Sequence, residues 1–115
     1  MSRAVFYLQN QEDPEDVGAH TPAEVTVTGE VDASNVAEFT RSVRDLPGVR
    51  PVILQLSSVK YLDSAGFAAL DRLLAEKAIV IVLSPGSFMY RVATLMCMPI
   101  YHDAEAARRV LQDGG

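Results

Sequence analysis

Apolar positions along this chain follow two alternating periods. Arg3 to Gln9 has the mixed character of a first strand, and Glu24-Val25-Thr26-Val27-Thr28 alternates strictly and is β-branched, predicting a second strand that stops at Gly29. The period then changes. Val36, Phe39, Val43 and Leu46 make one helical stripe, with Asp32, Ser34 or Asn35 able to cap its start and Pro47-Gly48 ending it. Pro51 to Leu56 is nearly all apolar and suits a strand covered on both faces. After a polar turn, Ser64 to Lys77 is helical, with Phe67, Leu70 and Leu74 on one face and Ala69 and Leu73 widening it.

Ala78 to Leu83 is a second continuous apolar strand, so Leu54, Leu56, Val80 and Val82 are expected on adjacent central strands. Ser84-Pro85-Gly86-Ser87 opens a helix carrying Phe88, Val92, Leu95 and Met96, which Pro99 stops. Ile100-Tyr101 reads as a short edge strand. Asp103 can cap a last helix through Ala107, Val110 and Leu111, with Gly114 beyond its end. Strand–helix alternation implies a largely parallel sheet with right-handed crossovers. The first two strands have no helix between them and are expected to pair antiparallel, which makes the sheet mixed. The stretch from Asn10 to Pro22, with Glu12, Asp13, Pro14, Glu15 and Asp16, reads as a solvated loop.

Composition narrows the function. The 115 residues fit one domain with a real core and contain no run long and apolar enough to span a membrane. The N-terminus lacks the apolar core and cleavage site of a signal peptide, and the single cysteine, Cys97, forbids an internal disulfide, so a cytoplasmic setting is expected. A net charge of -5 opposes nucleic acid and anionic lipid as partners. His20 and His102 are far apart with no further ligand at metal spacing, and no glycine-rich phosphate loop is present, so neither metal nor nucleotide cofactor is assigned. Met89, Val92 and Met96 fit a helical stripe of core packing, and Cys97, with no basic neighbour in sequence, is expected to be buried and inert.

Chemistry concentrates at the strand-to-helix junction Val59-Lys60-Tyr61-Leu62-Asp63-Ser64-Ala65-Gly66-Phe67. Asp63 and Ser64 are both good helix caps, and capping is one complete reading of them. The other starts from the small residues Ala65 and Gly66, which leave the Ser64 hydroxyl reachable at a helix N-terminus, where a phosphate is tolerated. A serine hydrolase elbow fails here, because Leu62 stands where its sharp turn needs glycine. Glu30 and Asp32 form a carboxylate pair of the kind usual in a strand-to-helix turn.

Three ordered pieces carry a resemblance: Val27-Thr28-Gly29-Glu30-Val31-Asp32, the Leu54-Gln55-Leu56 strand, and Tyr61 to Phe67. With Val80-Ile81-Val82-Leu83-Ser84-Pro85 following at matching spacing, the chain resembles the STAS domain family, and within it the bacterial anti-sigma factor antagonists. The resemblance spans Val25 to Leu111, within a single domain of residues 1–115. It implies an α/β STAS fold, with a mixed four- to five-stranded sheet flanked by about four helices. It also implies a non-enzymatic protein, without cofactor, that binds an anti-sigma factor and so frees a sigma factor for transcription. That anti-sigma factor is implied to be a serine kinase, with Ser64 the acceptor in the Asp-Ser-x-Gly motif and a separate phosphatase reversing the reaction. The implied binding surface is Gly29, Glu30, Asp32, Asp63, Ser64, Ala65 and Gly66. The residue after Ser64 is Ala65, where many relatives carry Ser or Thr, and Glu76-Lys77-Ala78 lacks the glycine that relatives often have there. STAS domains also serve in transporters and stressosome-like assemblies, so a scaffold or accessory subunit that is never phosphorylated is the alternative.

Overall fold

The computed structural model describes residues 4–10 and 22–113. Arg3, His20, Gly114 and residues 11–21 of the stretch read as a loop from Asn10 to Pro22 lie outside the described residues, while the two ends of that stretch, Asn10 and Pro22, belong to strands. Among the described residues nine elements follow in chain order: β1 (Phe6–Asn10), β2 (Pro22–Val31), α1 (Val36–Arg44), β3 (Val49–Gln55), β4 (Val59–Leu62), α2 (Ser64–Ala75), β5 (Ile79–Val82), α3 (Phe88–Leu95) and α4 (Ala104–Asp113). The five strands form one mixed sheet of order β1-β2-β3-β5, with β4 also paired to β2.

The long strand β2 organises the sheet. β1 pairs with it antiparallel, Phe6 opposite Gly29 and Leu8 opposite Val27. On its other side β3 pairs in parallel with its first half and β4 with its last residues, Glu30 opposite Tyr61 and Val31 opposite Leu62. The expectation that β2 stops at Gly29 is corrected. Gly29 takes φ 95°, and a Cβ there would collide with the carbonyl oxygen of Val5, which accepts the Glu30 N–H at 2.8 Å. Glycine lets the strand bulge at this point and resume as far as Val31. The strand β4 falls in the stretch read from sequence as a polar turn.

Odd-numbered residues of β2 face a core shared with three helices. Val25, Val27 and Val31 lie with Leu54, Leu56 and Ile81 from the sheet, Phe39 and Val43 of α1, Phe67, Leu70 and Leu73 of α2, and Met89 and Ala93 of α3. The Phe6 and Phe39 rings close one side edge-to-face, 5.3 Å apart. Ile53, Val82 and Ala107 form a smaller cluster under α4, whose Arg108 pairs with Glu24 of β2. Leu54 and Val82 are therefore on adjacent strands but opposite faces. β5 is not central as expected: among the described residues, beyond it lies only a parallel bridge from Val82 to Tyr101, so the edge strand read at Ile100-Tyr101 is a single bridge, and Val80 is half-buried.

Two helix ends explain how the chain turns without glycine. After α2, Lys77 adopts φ 58° while its N–H donates to the Leu74 carbonyl and that of Ala78 to Leu73. After α3, Cys97 adopts φ 58° with matching bonds from Cys97 to Thr94 and from Met98 to Ala93. Both are Schellman turns that satisfy the last helix carbonyls and place the following residue, Ala78 or Met98, against the core. The turn after α3 leaves Cys97 exposed, against the expectation of a buried thiol. The α3 core stripe is corrected only at Met96: Met89 is buried and Val92 packs half-buried against the core. Met89 and Ala93 are its buried face, whereas Phe88, Leu95 and Met96 are exposed.

Two stability measurements follow. Leu54 has no exposed surface, and Leu54→Ala is expected to cost about 2–5 kcal/mol in chemical denaturation; a variant as stable as the parent contradicts the core assignment. Lys77→Gly relieves a left-handed residue that costs about 1–2 kcal/mol, offset in part by the extra unfolded-state freedom of glycine. It is expected to raise the melting temperature by a few degrees for a net gain of about 0.5–1 kcal/mol.

Candidate partner-binding site

The parallel strands deliver two turns to one end of the sheet: residues 32–35 after β2, and Asp63 after β4. Asp63 is the N-cap of α2, in extended geometry at φ -91° and ψ -174°. One carboxylate oxygen accepts the Gly66 N–H at 3.0 Å, and the other accepts the Ala33 N–H at 3.1 Å. Its own N–H donates to the Val31 carbonyl at 3.3 Å. A single side chain thus caps α2 and ties that helix to the turn before α1. Gly66 is the packing partner of this arrangement. A Cβ on it would lie 2.6 Å from the Leu62 side chain and 3.3 Å from the Val31 carbonyl oxygen, so glycine lets the first turn of α2 rest on the ends of β2 and β4.

The β2–α1 turn is built by its own side chains. The Asp32 carboxylate accepts the Ser34 N–H at 2.8 Å and the Ser34 hydroxyl. Asn35 is buried. Its Oδ1 accepts the Asp32 N–H at 2.9 Å, and its Nδ2 donates to the carbonyls of Glu30 at 3.0 Å and Ala4 at 3.1 Å. Asn35 occupies the N-cap position of α1 but makes no side-chain capping bond. Its hydrogen-bonding capacity holds the turn and the chain ahead of β1 instead. Sequence reasoning took it as one of three interchangeable caps and missed this role, as it missed the Ala33 N–H. The spacing Asp32-x-x-Asn35 is the one local signal, since each is placed to bond the other's backbone.

Ser64, the first residue of α2, is exposed and, among the described residues, its hydroxyl has no hydrogen-bond partner. Of the other residues singled out from sequence, Asp32 and Asp63 are brought to one surface through the Ala33 link, with Ala65 beside Ser64 and half-buried. Glu30 is half-buried on the sheet face away from the main core, opposite Tyr61, and Gly29 serves the strand bulge. The Gly29 and Gly66 positions are thus fixed by backbone and packing demands.

The hydroxyl of Ser34, then its backbone N–H, with the N–H of Asn35 adding to them, hold the Asp32 carboxyl below the ordinary carboxylate range. Elsewhere, Tyr90 Oη lies 3.3 Å from His102 Nε2 on the surface. Among the described residues no three His, Cys, Asp or Glu side chains are grouped to hold a metal ion, and no helix is long and apolar enough to cross a membrane.

A mixed five-stranded sheet with α1, α2 and α3 against one face, α4 on the other and an accessible Ser-bearing helix start defines a small α/β domain. The STAS domain family matches residues 13–89 of the 115, and the chain belongs to that family. Its fold is also similar to that in the crystal structure of an anti-sigma factor antagonist from Mycobacterium paratuberculosis. The TM-score is 0.64 at 19% sequence identity, over 91% of this chain and 95% of that one.

The lowered Asp32 gives a signed pH dependence. Its contribution to stability is full above the unfolded value of about 4 and is lost as pH falls through the lower folded value. Melting temperatures measured below pH 4 are expected to fall more steeply for the parent than for Asp32→Asn; identical acid limbs contradict the role of the Ser34 bonds.

Proposed function

We infer that this chain is an anti-sigma factor antagonist whose binding is switched by phosphorylation of Ser64. The observation that carries the reading is the exposed hydroxyl at the first position of α2, unbonded among the described residues and directly after the Asp63 cap. Membership of the STAS family and a fold shared with an anti-sigma factor antagonist support it. In this reading the unphosphorylated chain sequesters an anti-sigma factor and frees a sigma factor. The anti-sigma factor is itself the serine kinase, and a phosphatase restores the hydroxyl. The chain performs no catalysis and needs no cofactor. Its binding surface is the α2 start with the Gly29–Asp32 approach.

Charge sets the switch. A phosphate adds about -1.5 to -2 charge at Ser64. The α2 N-terminus favours that charge by about 0.3–1 kcal/mol, while the adjacent Asp63 carboxylate opposes it. These effects roughly offset, so the fold tolerates the modification. Docking then places the same charge in a desolvated interface without a partner, at a cost of several kcal/mol. About 3–4 kcal/mol corresponds to a 10²–10³-fold loss of affinity.

The test starts from the anti-sigma factor retained by this chain in a pull-down. Ser64→Asp is expected to keep the parent's melting curve and lose the partner in calorimetry. Ser64→Ala is expected to bind and to resist phosphorylation by it. A Ser64→Asp protein with parental affinity sinks the switch and favours a STAS scaffold that is never phosphorylated.

A further inference from the structure

A groove of about 440 Å³ runs between α1 and α2, starting at Ala65, the residue after Ser64. Ala37, Ala65 and Ala68 keep its walls low, and Arg44 and Arg72 stand at its far end. Arg44 is paired with Glu76 at 2.6 Å, whereas Arg72 is exposed and makes no ion pair among the described residues. With Arg44 and Arg72 set against Glu76, this end is net positive on a chain whose net charge is -5. The next acidic residue of α2, Asp71, does not line the groove.

We propose that this groove receives an amphipathic, acidic helix of the anti-sigma partner, with a carboxylate of that helix directed to Arg72. The proposal rests on the Ser64 reading and extends it. A channel between two packed helices with alanine walls admits the ridge of a third helix at close range. The Arg72 guanidinium forms no ion pair among the described residues and acts on Glu76 only at longer range, so it supplies the charge that selects an acidic occupant and fixes its direction along the groove. Ser64 and Arg72 are eight residues apart on α2, about 12 Å of helix. A helix lying in the groove with its acid on Arg72 reaches Ala65 at the near mouth, next to Ser64, where a phosphate on the neighbouring residue meets an acidic chain. One surface then combines an attractive far end with a near end that modification turns repulsive. The larger groove along α3, near exposed Phe88 and Leu95, also carries a cation, Arg91, but no residue of α2 lines it, so it is not continuous with the Ser64 end.

Three variants of exposed α2 positions test the groove against the retained anti-sigma factor, with Ser64→Asp run beside them. Ala68→Gln fills the channel with a good helix former, and Arg72→Gln and Arg72→Glu remove or reverse the charge. All three are expected to keep the parent's melting curve. Ala68→Gln is expected to weaken binding at least tenfold and Arg72→Glu more than Arg72→Gln, with the gap between those two narrowing at about 0.5 M salt. Affinities within twofold of the parent for all three, with Ser64→Asp weakened, overturn the groove and leave the Ser64 site standing. Loss in the groove variants with Ser64→Asp unaffected supports the groove and overturns the switch.

Discussion

The arrangement at the α2 end of the sheet depends on one carboxylate. Asp63 must accept from Gly66 to start α2 and from Ala33 to hold the turn ahead of α1, one oxygen for each. Those two bonds set the position of Ser64 relative to the Asp32 turn. Hydrogen bonds to a charged acceptor contribute about 1.5–3 kcal/mol apiece, so this tie is strong for its size. It also makes the two turns one mechanical unit. A charge placed on Ser64 acts on Asp63 first, and Asp63 holds the other turn.

The unit stands on a sheet that cannot shift easily. β2 carries β1 on one side and both β3 and β4 on the other, so the ends of β2 and β4 arrive together at Val31 and Leu62. Two glycines permit this. Gly29 allows the bulge that carries β2 past the Val5 carbonyl, and Gly66 allows the first turn of α2 to sit on Leu62 and Val31. Asn35 satisfies three backbone groups inside the same region with its one side chain. The Ser64 hydroxyl takes no part in this holding among the described residues, which falls to Asp63 and to the buried backbone and polar groups beneath it.

Most of the fold could be read from periodicity, because long apolar stripes and continuous apolar runs have few competing interpretations. The α2 start was legible because its cap, its serine and its glycine are adjacent in sequence. β4 was not: Val59-Lys60-Tyr61-Leu62 is four residues long with little alternation, and it is a strand because β2 is there to pair with it. On α3, periodicity found Met89 and Val92 but added the exposed Met96 and missed Ala93, because apolar residues surround that helix. Cys97 and Lys77 stand where glycine is usual, and only the backbone reveals that they turn left-handed. Asn35 was hidden because a helix-cap residue that spends its side chain elsewhere has the same sequence signature as one that caps.

The central claim is that a phosphate on Ser64 abolishes partner binding while leaving the fold intact. The most direct measurement compares the parent chain with its Ser64-phosphorylated form in titrations against the same anti-sigma factor, with a melting curve for each. The account predicts superimposable melting curves within a few degrees and an affinity lower by about 10²–10³-fold for the phosphorylated chain. Equal affinity of the two forms would contradict it, and would leave Asp63 and Ser64 as the start of a helix and nothing more.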